Sequence, residues 1–396
     1  MRFPALAISA LAVGIVTALS AAQSEVHAQG TVKIGFINAF SGQFAEPSTQ
    51  MDGGIKLYIK QHGDTVAGKK IEIIRKDSGG INPAVAKRLT QELIVRDKVD
   101  ILTGYSLSPN AFAGADISKE AKKFMVIMNA ATSVITEHSP YVTRVSMTLP
   151  QATGTLGTWA AKNGIKRAYV MVTDYAPGHD AQAAFSGAFE AGGGKIVGTV
   201  RIPVTNPDFA AYVQRAKDLN PEAIFVFVPG GTQPASLAKA FADRGIDPNK
   251  VKILTTGEMV DEKPLESMGN SALGMISGWH YDIHHDSALN KQFVKAFNDE
   301  YHRNPDFFAV GGYDGMHLIY EALKKTNGNT DGEKLIAAAK GMSWESPRGM
   351  VKIDPQTRDI VQTIYIRKVE KVGNNIQNVE IDKIADVVDP VKAAKK

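Results

Sequence analysis

Three short stretches carry side chains suited to holding a charged small molecule: GYSLSP (residues 104–109), NAATS (129–133) and TTGEMVDE (255–262). The first follows an apolar run (Val99, Ile101, Leu102), breaks at Gly104 and restarts as a helix at Ser108-Pro109. A residue before proline is pushed away from helical backbone angles, which makes Ser108 an expected N-cap with Pro109 as the first helical residue. A hydroxyl beside unpaired helix N–H groups favours a carboxylate or phosphate. NAATS ends the next apolar run, FMVIM, so Ala130 and Thr132 bring N–H and hydroxyl donors to a neighbouring strand end. Glu258, after Gly257, lies beyond a third strand end, where a lone carboxylate facing an anion site complements an ammonium or a hydroxyl proton. Phe44, Tyr105, Tyr175 and Phe308 fall in or beside loops and can form an apolar wall, although each alone reads as packing.

Other chemistries find no support. The chain has no G-x-S-x-G, H-E-x-x-H or Walker motif, and neither GGGKIVG nor PGGTQP matches G-x-G-x-x-G. With no cysteine there is no thiol catalysis or Cys-rich metal site. His284 and His285 are flanked by Asp282 and Asp286, but adjacent residues of an extended segment point to opposite sides and rarely share one ion. His179-Asp180 after Gly178 reads as a helix start. No catalytic residue, metal or cofactor is expected. The net charge is only +4 with no basic block, so nucleic acid is a poor partner.

The elements that must position these residues are α/β. Arg2, the uncharged run from Leu6 to Ala22 and Val26-His27-Ala28 read as a secretory signal peptide covering residues 1–28. Residues 32–37, 70–76, the run before Gly104 and residues 124–128 are strands separated by helices, which argues for a parallel sheet covered on both faces. Residues 141–150 read as a crossing into a second lobe, where strands at 167–172, 195–202, 223–228 and 251–254 alternate with helices again. Further crossings fall near residues 280–287 and 343–350, and the tail after Val388 reads as frayed. The expected architecture is two doubly wound parallel-sheet lobes joined by a three-strand hinge. Residues 29–147 with 284–343 form one lobe and 148–283 with 344–396 the other. Ligands of such sheets bind at the carboxyl ends of the strands, and the hinge closes around them.

VKIGFINAFSGQFA, GYSLSP, NAATS, DYAPGHDA, TTGEMVDE and GGYDGMHLIYEAL, in this order and spacing, resemble the leucine/isoleucine/valine-binding protein family over residues 31–385. The resemblance implies a type I periplasmic binding protein fold and a monomeric protein that hands a small solute to the membrane permease of an ABC importer. The same fold serves periplasmic sensors of chemoreceptors or histidine kinases. It also implies a ligand carboxylate held by Ser108, Thr132 and the backbone at Ala130, with Glu258 on an ammonium. The chain departs from the pattern where aromatic residues are common in the family: Gly230 stands in PGGTQP, Pro47 follows the first SG loop, and Pro177 lies in DYAPGHDA. These changes reshape the side-chain pocket and resemble the branch that binds aromatic carboxylates. An amino acid and an aromatic acid both remain open as the ligand.

Overall fold

A computed structural model describes residues 30–395, so the expected signal peptide lies outside the described residues. The first sheet contains β1 (Thr31–Asn38), β2 (Thr65–Val66), β3 (Lys69–Asp77), β4 (Ile101–Gly104), β5 (Met125–Ile127) and β6 (Val142–Arg144). Their spatial order is β2-β3-β1-β4-β5-β6, parallel throughout except for the β2–β3 pair. Helices α1 (Ala45–His62), α2 (Pro83–Val95) and α3 (Ser108–Ala121) connect these strands. Residues 142–144, expected to begin the crossing, instead complete this sheet as its sixth strand.

The chain then enters α4 (Leu149–Lys162), β7 (Arg167–Thr173), α5 (Ala176–Ala191), β8 (Lys195–Ile202) and α6 (Phe209–Asp218). It continues through β9 (Ala223–Phe227), α7 (Gln233–Asp243), β10 (Lys252–Thr256), α8 (Glu262–Met268) and β11 (Ile276–Trp279). β9 is buried at all five positions, as a strand covered on both faces must be. Next, α9 (Ala288–Tyr301), α10 (Phe307–Lys325) and α11 (Gly332–Ala339) return to pack on α1 and the first sheet. β12 (Ser343–Ser346), β13 (Gly349–Ile353), β14 (Ile360–Val372) and β15 (Asn375–Val387) finish the second sheet, with β14 antiparallel to β11. The second sheet runs β12-β13-β14-β11-β10-β9-β7-β8, and β15 pairs with β14.

α10 reaches the first lobe through backbone contact with α1. A Cβ on Gly54 would lie 1.9 Å from the Ala309 carbonyl oxygen, and one on Gly312 would lie 2.2 Å from that of Met51. Gly54→Ala must therefore push the two helices apart, at a cost of about 2 kcal/mol, read as a lowered denaturation midpoint.

The tail is not frayed. Asp389 caps a last short helix, α12 (Pro390–Ala393), and Lys392 is buried. In the long β14–β15 hairpin, β15 is exposed along most of its length and lacks the apolar alternation that marks a strand in sequence.

Candidate ligand-binding site

The GYSLSP loop takes its shape from β1. Gly104 (φ +96°) and Tyr105 (φ +53°) both adopt left-handed angles, and the Tyr105 N–H donates to the Ile37 carbonyl at 2.8 Å. A Cβ on Gly104 would lie 2.5 Å from that carbonyl, so only glycine fits. This twist turns Tyr105 away from the cleft. Its ring packs on Gly114 and its hydroxyl pairs with Thr90 Oγ1 at 2.8 Å, which removes it from the expected ligand wall.

Ser106 takes the place beside the cleft, its N–H donating to Asn38 Oδ1 at 3.2 Å. Leu107, not Ser108, is the extended residue before α3, and Ser108 opens the helix. Freed from capping its own helix, Ser108 Oγ accepts the Thr132 N–H at 3.2 Å. The two expected clamp residues thus meet, as neighbouring strands β4 and β5 require. Thr132 is 3% exposed and its Oγ1 has no partner among the described residues. Ala130 is also brought to this turn, but its N–H donates to the Tyr105 carbonyl at 3.1 Å and is not free for a ligand. Its carbonyl accepts Arg144 Nη1 at 2.8 Å.

Across the cleft, the Trp279 ring covers Gly257 so closely that a Cβ there would lie 2.2 Å away. That contact directs Glu258 inward. Glu258 is 6% exposed and its Oε2 has no partner. Burial pushes its carboxyl up to about 8, with the Thr256 side chain and Glu258's own backbone N–H pulling the other way. Tyr175 stacks on Phe227 (ring centres 6.1 Å apart), and burial beside Glu258 raises its phenol well above the usual range. A Cβ on Gly230 would lie 3.1 Å from the Phe308 ring, so Phe308 fills the space that a larger residue here would need.

These residues enclose an inner chamber of about 30 Å³, lined by Phe44, Tyr175, Gly230, Glu258 and Phe308 with Ser106, Leu107 and Asn129. Ser108 and Thr132 belong to the same two loops as Ser106 and Asn129 but do not themselves line this chamber. Pro47, Gly230, Glu258 and Phe308 also line an outer chamber of about 420 Å³ at the cleft mouth. The lobes are closed, since the Gln43 carbonyl rests against the backbone at Gly231, where a Cβ would lie 2.2 Å from it. Ser106 and Asn129 escaped the sequence reading although they belong to the stretches it singled out. Nothing in residue type separates an inward from an outward position in such a loop.

The histidines are placed elsewhere. His284 Nδ1 lies 3.5 Å from Asp282 and His285 Nδ1 lies 2.9 Å from Glu380. His179 Nε2 lies 2.7 Å from Asp174. Asp180 does not sit at the helix end; its Oδ2 accepts the Ser133 N–H at 2.8 Å and so ties α5 to the NAATS turn. Among the described residues no helix is long and apolar enough to cross a membrane.

Similarity to known proteins follows the same lines. A homologue of Leu/Ile/Val-binding proteins from Brucella melitensis is 39% identical over 389 residues, spanning 97% of this chain and 98% of its own. A solute-binding protein of an ABC transporter from Rhodopseudomonas palustris BisB5, solved with 3,4-dihydroxybenzoic acid, is 52% identical, with a TM-score of 0.89. The match covers 91% of this chain and 99% of that one. Another from R. palustris, solved with 4-hydroxybenzoate, is 41% identical with a TM-score of 0.89, covering 92% and 100%. Residues 31–374 match the periplasmic binding protein family, and with two closed α/β lobes around a buried cleft the chain belongs to that family.

Proposed function

We propose that this chain is the periplasmic capture protein of an ABC importer, exported by the signal peptide at residues 1–28, and that its solute is a hydroxylated aromatic acid. The observation that carries this reading is Glu258, whose burial pushes its carboxyl to about 8. At neutral pH such a group holds its proton, and a neutral carboxyl exchanges hydrogen bonds with a ring hydroxyl. An amino acid ammonium would require it to ionise and so release a proton on binding. In the ligand-bound form the Ser108 and Thr132 hydroxyls take the acid end and Phe44, Tyr175 and Phe308 flank the ring, which requires the inner chamber of about 30 Å³ to widen on binding. The relatives crystallised with hydroxybenzoates support the same class.

A thermal-shift series on the mature protein tests it. A ligand at a hundred times its Kd stabilises by about 2.7 kcal/mol, so 4-hydroxybenzoate and 3,4-dihydroxybenzoate are expected to raise the melting temperature while leucine leaves it unchanged. A shift with leucine alone returns the amino acid reading. Glu258→Gln, which keeps a neutral donor and acceptor, is expected to change 4-hydroxybenzoate affinity by less than about threefold, whereas Glu258→Ala costs about tenfold. Calorimetry separates the two variants.

A further inference from the structure

The last seven described residues bury more charge than a chain end requires. Asp389 caps α12 with Oδ1, and its Oδ2 accepts the Ser133 hydroxyl at 2.6 Å. Lys392 is 5% exposed, with Nζ 2.5 Å from both Asp359 Oδ2 and Thr136 Oγ1. The other Asp359 oxygen accepts Arg144 Nε at 2.9 Å and Nη2 at 2.7 Å. Arg144 is 0% exposed. Its remaining N–H groups donate to the carbonyls of Ala130 and Thr132 at 2.8 Å and of Ser133 at 2.9 Å. All five guanidinium donors are used, three of them on the turn that presents Thr132. That turn is joined from the other side by Asp180 of α5. Two buried cations, Arg144 and Lys392, thus stand among three carboxylates, those of Asp359, Asp389 and Asp180.

We propose that residues 389–395 are a strut for the carboxylate clamp. They position Thr132 through the Lys392–Asp359–Arg144 chain and through the Asp389–Ser133 hydrogen bond. Thr132 reaches a ligand oxygen with one short hydroxyl, so its turn must hold still within a fraction of an ångström for the bond to form. A single guanidinium fork binding the carbonyls of Ala130, Thr132 and Ser133 supplies that rigidity, and Lys392 and Asp389 seat it from the tail. These residues are positioning residues, and the proposal rests on the reading of Thr132 as a ligand contact.

The test uses the mature protein, Lys392→Met, Ser133→Ala and a chain ending at Val388. Amide hydrogen exchange of the unliganded proteins is read at Thr132 and Ser133, with β1 and β9 as internal references. Both point variants are expected to speed exchange at the turn by about tenfold and leave the two strands unchanged. Calorimetry is then run with 4-hydroxybenzoate and its neutral amide. Lys392→Met is expected to lower the affinity for the acid about tenfold and to leave the amide within about twofold, so that the preference for the acid shrinks. A truncated chain that fails to fold leaves the point variants to decide. Unchanged exchange at Thr132 and Ser133 in both variants overturns the strut. A wild-type protein that ignores 4-hydroxybenzoate overturns the solute reading instead, and the exchange arm still decides the strut.

Discussion

Replacing Ser108 and Thr132 together by alanine is expected to weaken an aromatic carboxylate by about a hundredfold, because each hydroxyl hydrogen bond to an ionised oxygen is worth about 1.5 kcal/mol or more. The expectation rests on what the two hydroxyls do without a ligand. Thr132 Oγ1 is buried and makes no bond to the protein, so its removal strips the ligand contact while sparing the fold. Ser108 Oγ accepts one N–H, from Thr132, and keeps its own hydrogen to donate. Thr132→Ala alone should therefore leave the melting temperature of the unliganded protein within about 2 °C. Ser108→Ala should lower it, since it orphans the Thr132 N–H. Titration with an acid and its amide checks the cause. The acid loses affinity in the double variant and the amide largely keeps it. Equal losses for both would mean that the hydroxyls shape the cavity without binding the carboxylate.

The second large effect is proton-linked closure. Asp306 caps α10 on the first lobe and Asp261 precedes α8 on the second, and both line the cleft mouth with Glu46, Glu258 and Lys263. Burial pushes Asp306 up to about 8, with Glu46 adding to the rise and Arg303 opposing it. Burial and the facing charge of Asp306 and Glu262 raise Asp261 well above its usual range, against Arg367. Lys263 is spoken for by Glu266, 2.8 Å away, and Arg303 by Glu46, 3.0 Å away. Lobe opening is expected to bring these carboxylates into water and return them toward ordinary values near 4. The closed form therefore binds more protons. Its advantage is complete below the ordinary carboxylate range and is lost as pH rises toward about 8. Between those limits the closed-to-open ratio should fall by up to about tenfold per pH unit for each proton taken up. Small-angle scattering of the unliganded protein from pH 5 to 9 is expected to show compaction at the acid end. Asp261→Asn with Asp306→Asn should flatten that profile, and asparagine keeps the α10 cap. A profile unchanged by the double substitution would place the proton uptake elsewhere, with Glu258 as the first suspect. His280 titrates the other way but is held well below its usual range by burial, with Arg348 and Arg367 adding to this, so it acts outside the window.

The strand-end loops were legible because they are local. Short, mainly apolar stretches (VDILTG, FMVIMN and VKILTTG) marked β4, β5 and β10, and their parallel order brought Ser108 to Thr132 without any long-range knowledge. Side-chain direction inside a loop was not legible. Tyr105 was expected at the wall, but two successive left-handed residues turn it into the core, and no property of Tyr itself announces that. Ala130 was expected to offer its N–H, but a loop-to-loop bond to Tyr105 consumes it. Long-range charge pairing was also invisible. The Asp359–Arg144 and Asp359–Lys392 pairs join residues separated by 215 and 33 positions, so the tail reads as frayed in sequence although Lys392 is buried. β15 escaped for the opposite reason, as an edge strand with one neighbour and little to bury.

A crystal structure of the mature protein with 4-hydroxybenzoate measures directly whether a carboxylate lies on the first-lobe hydroxyls with the far end of the ring toward Glu258. The expected result is closed lobes, a carboxylate oxygen within hydrogen-bonding distance of Thr132 Oγ1 and of Ser108 Oγ, and the phenol oxygen on Glu258. A ligand lying the other way round, with its carboxylate on Glu258 and its phenol toward Thr132, would contradict the account. So would one bound only in the outer chamber.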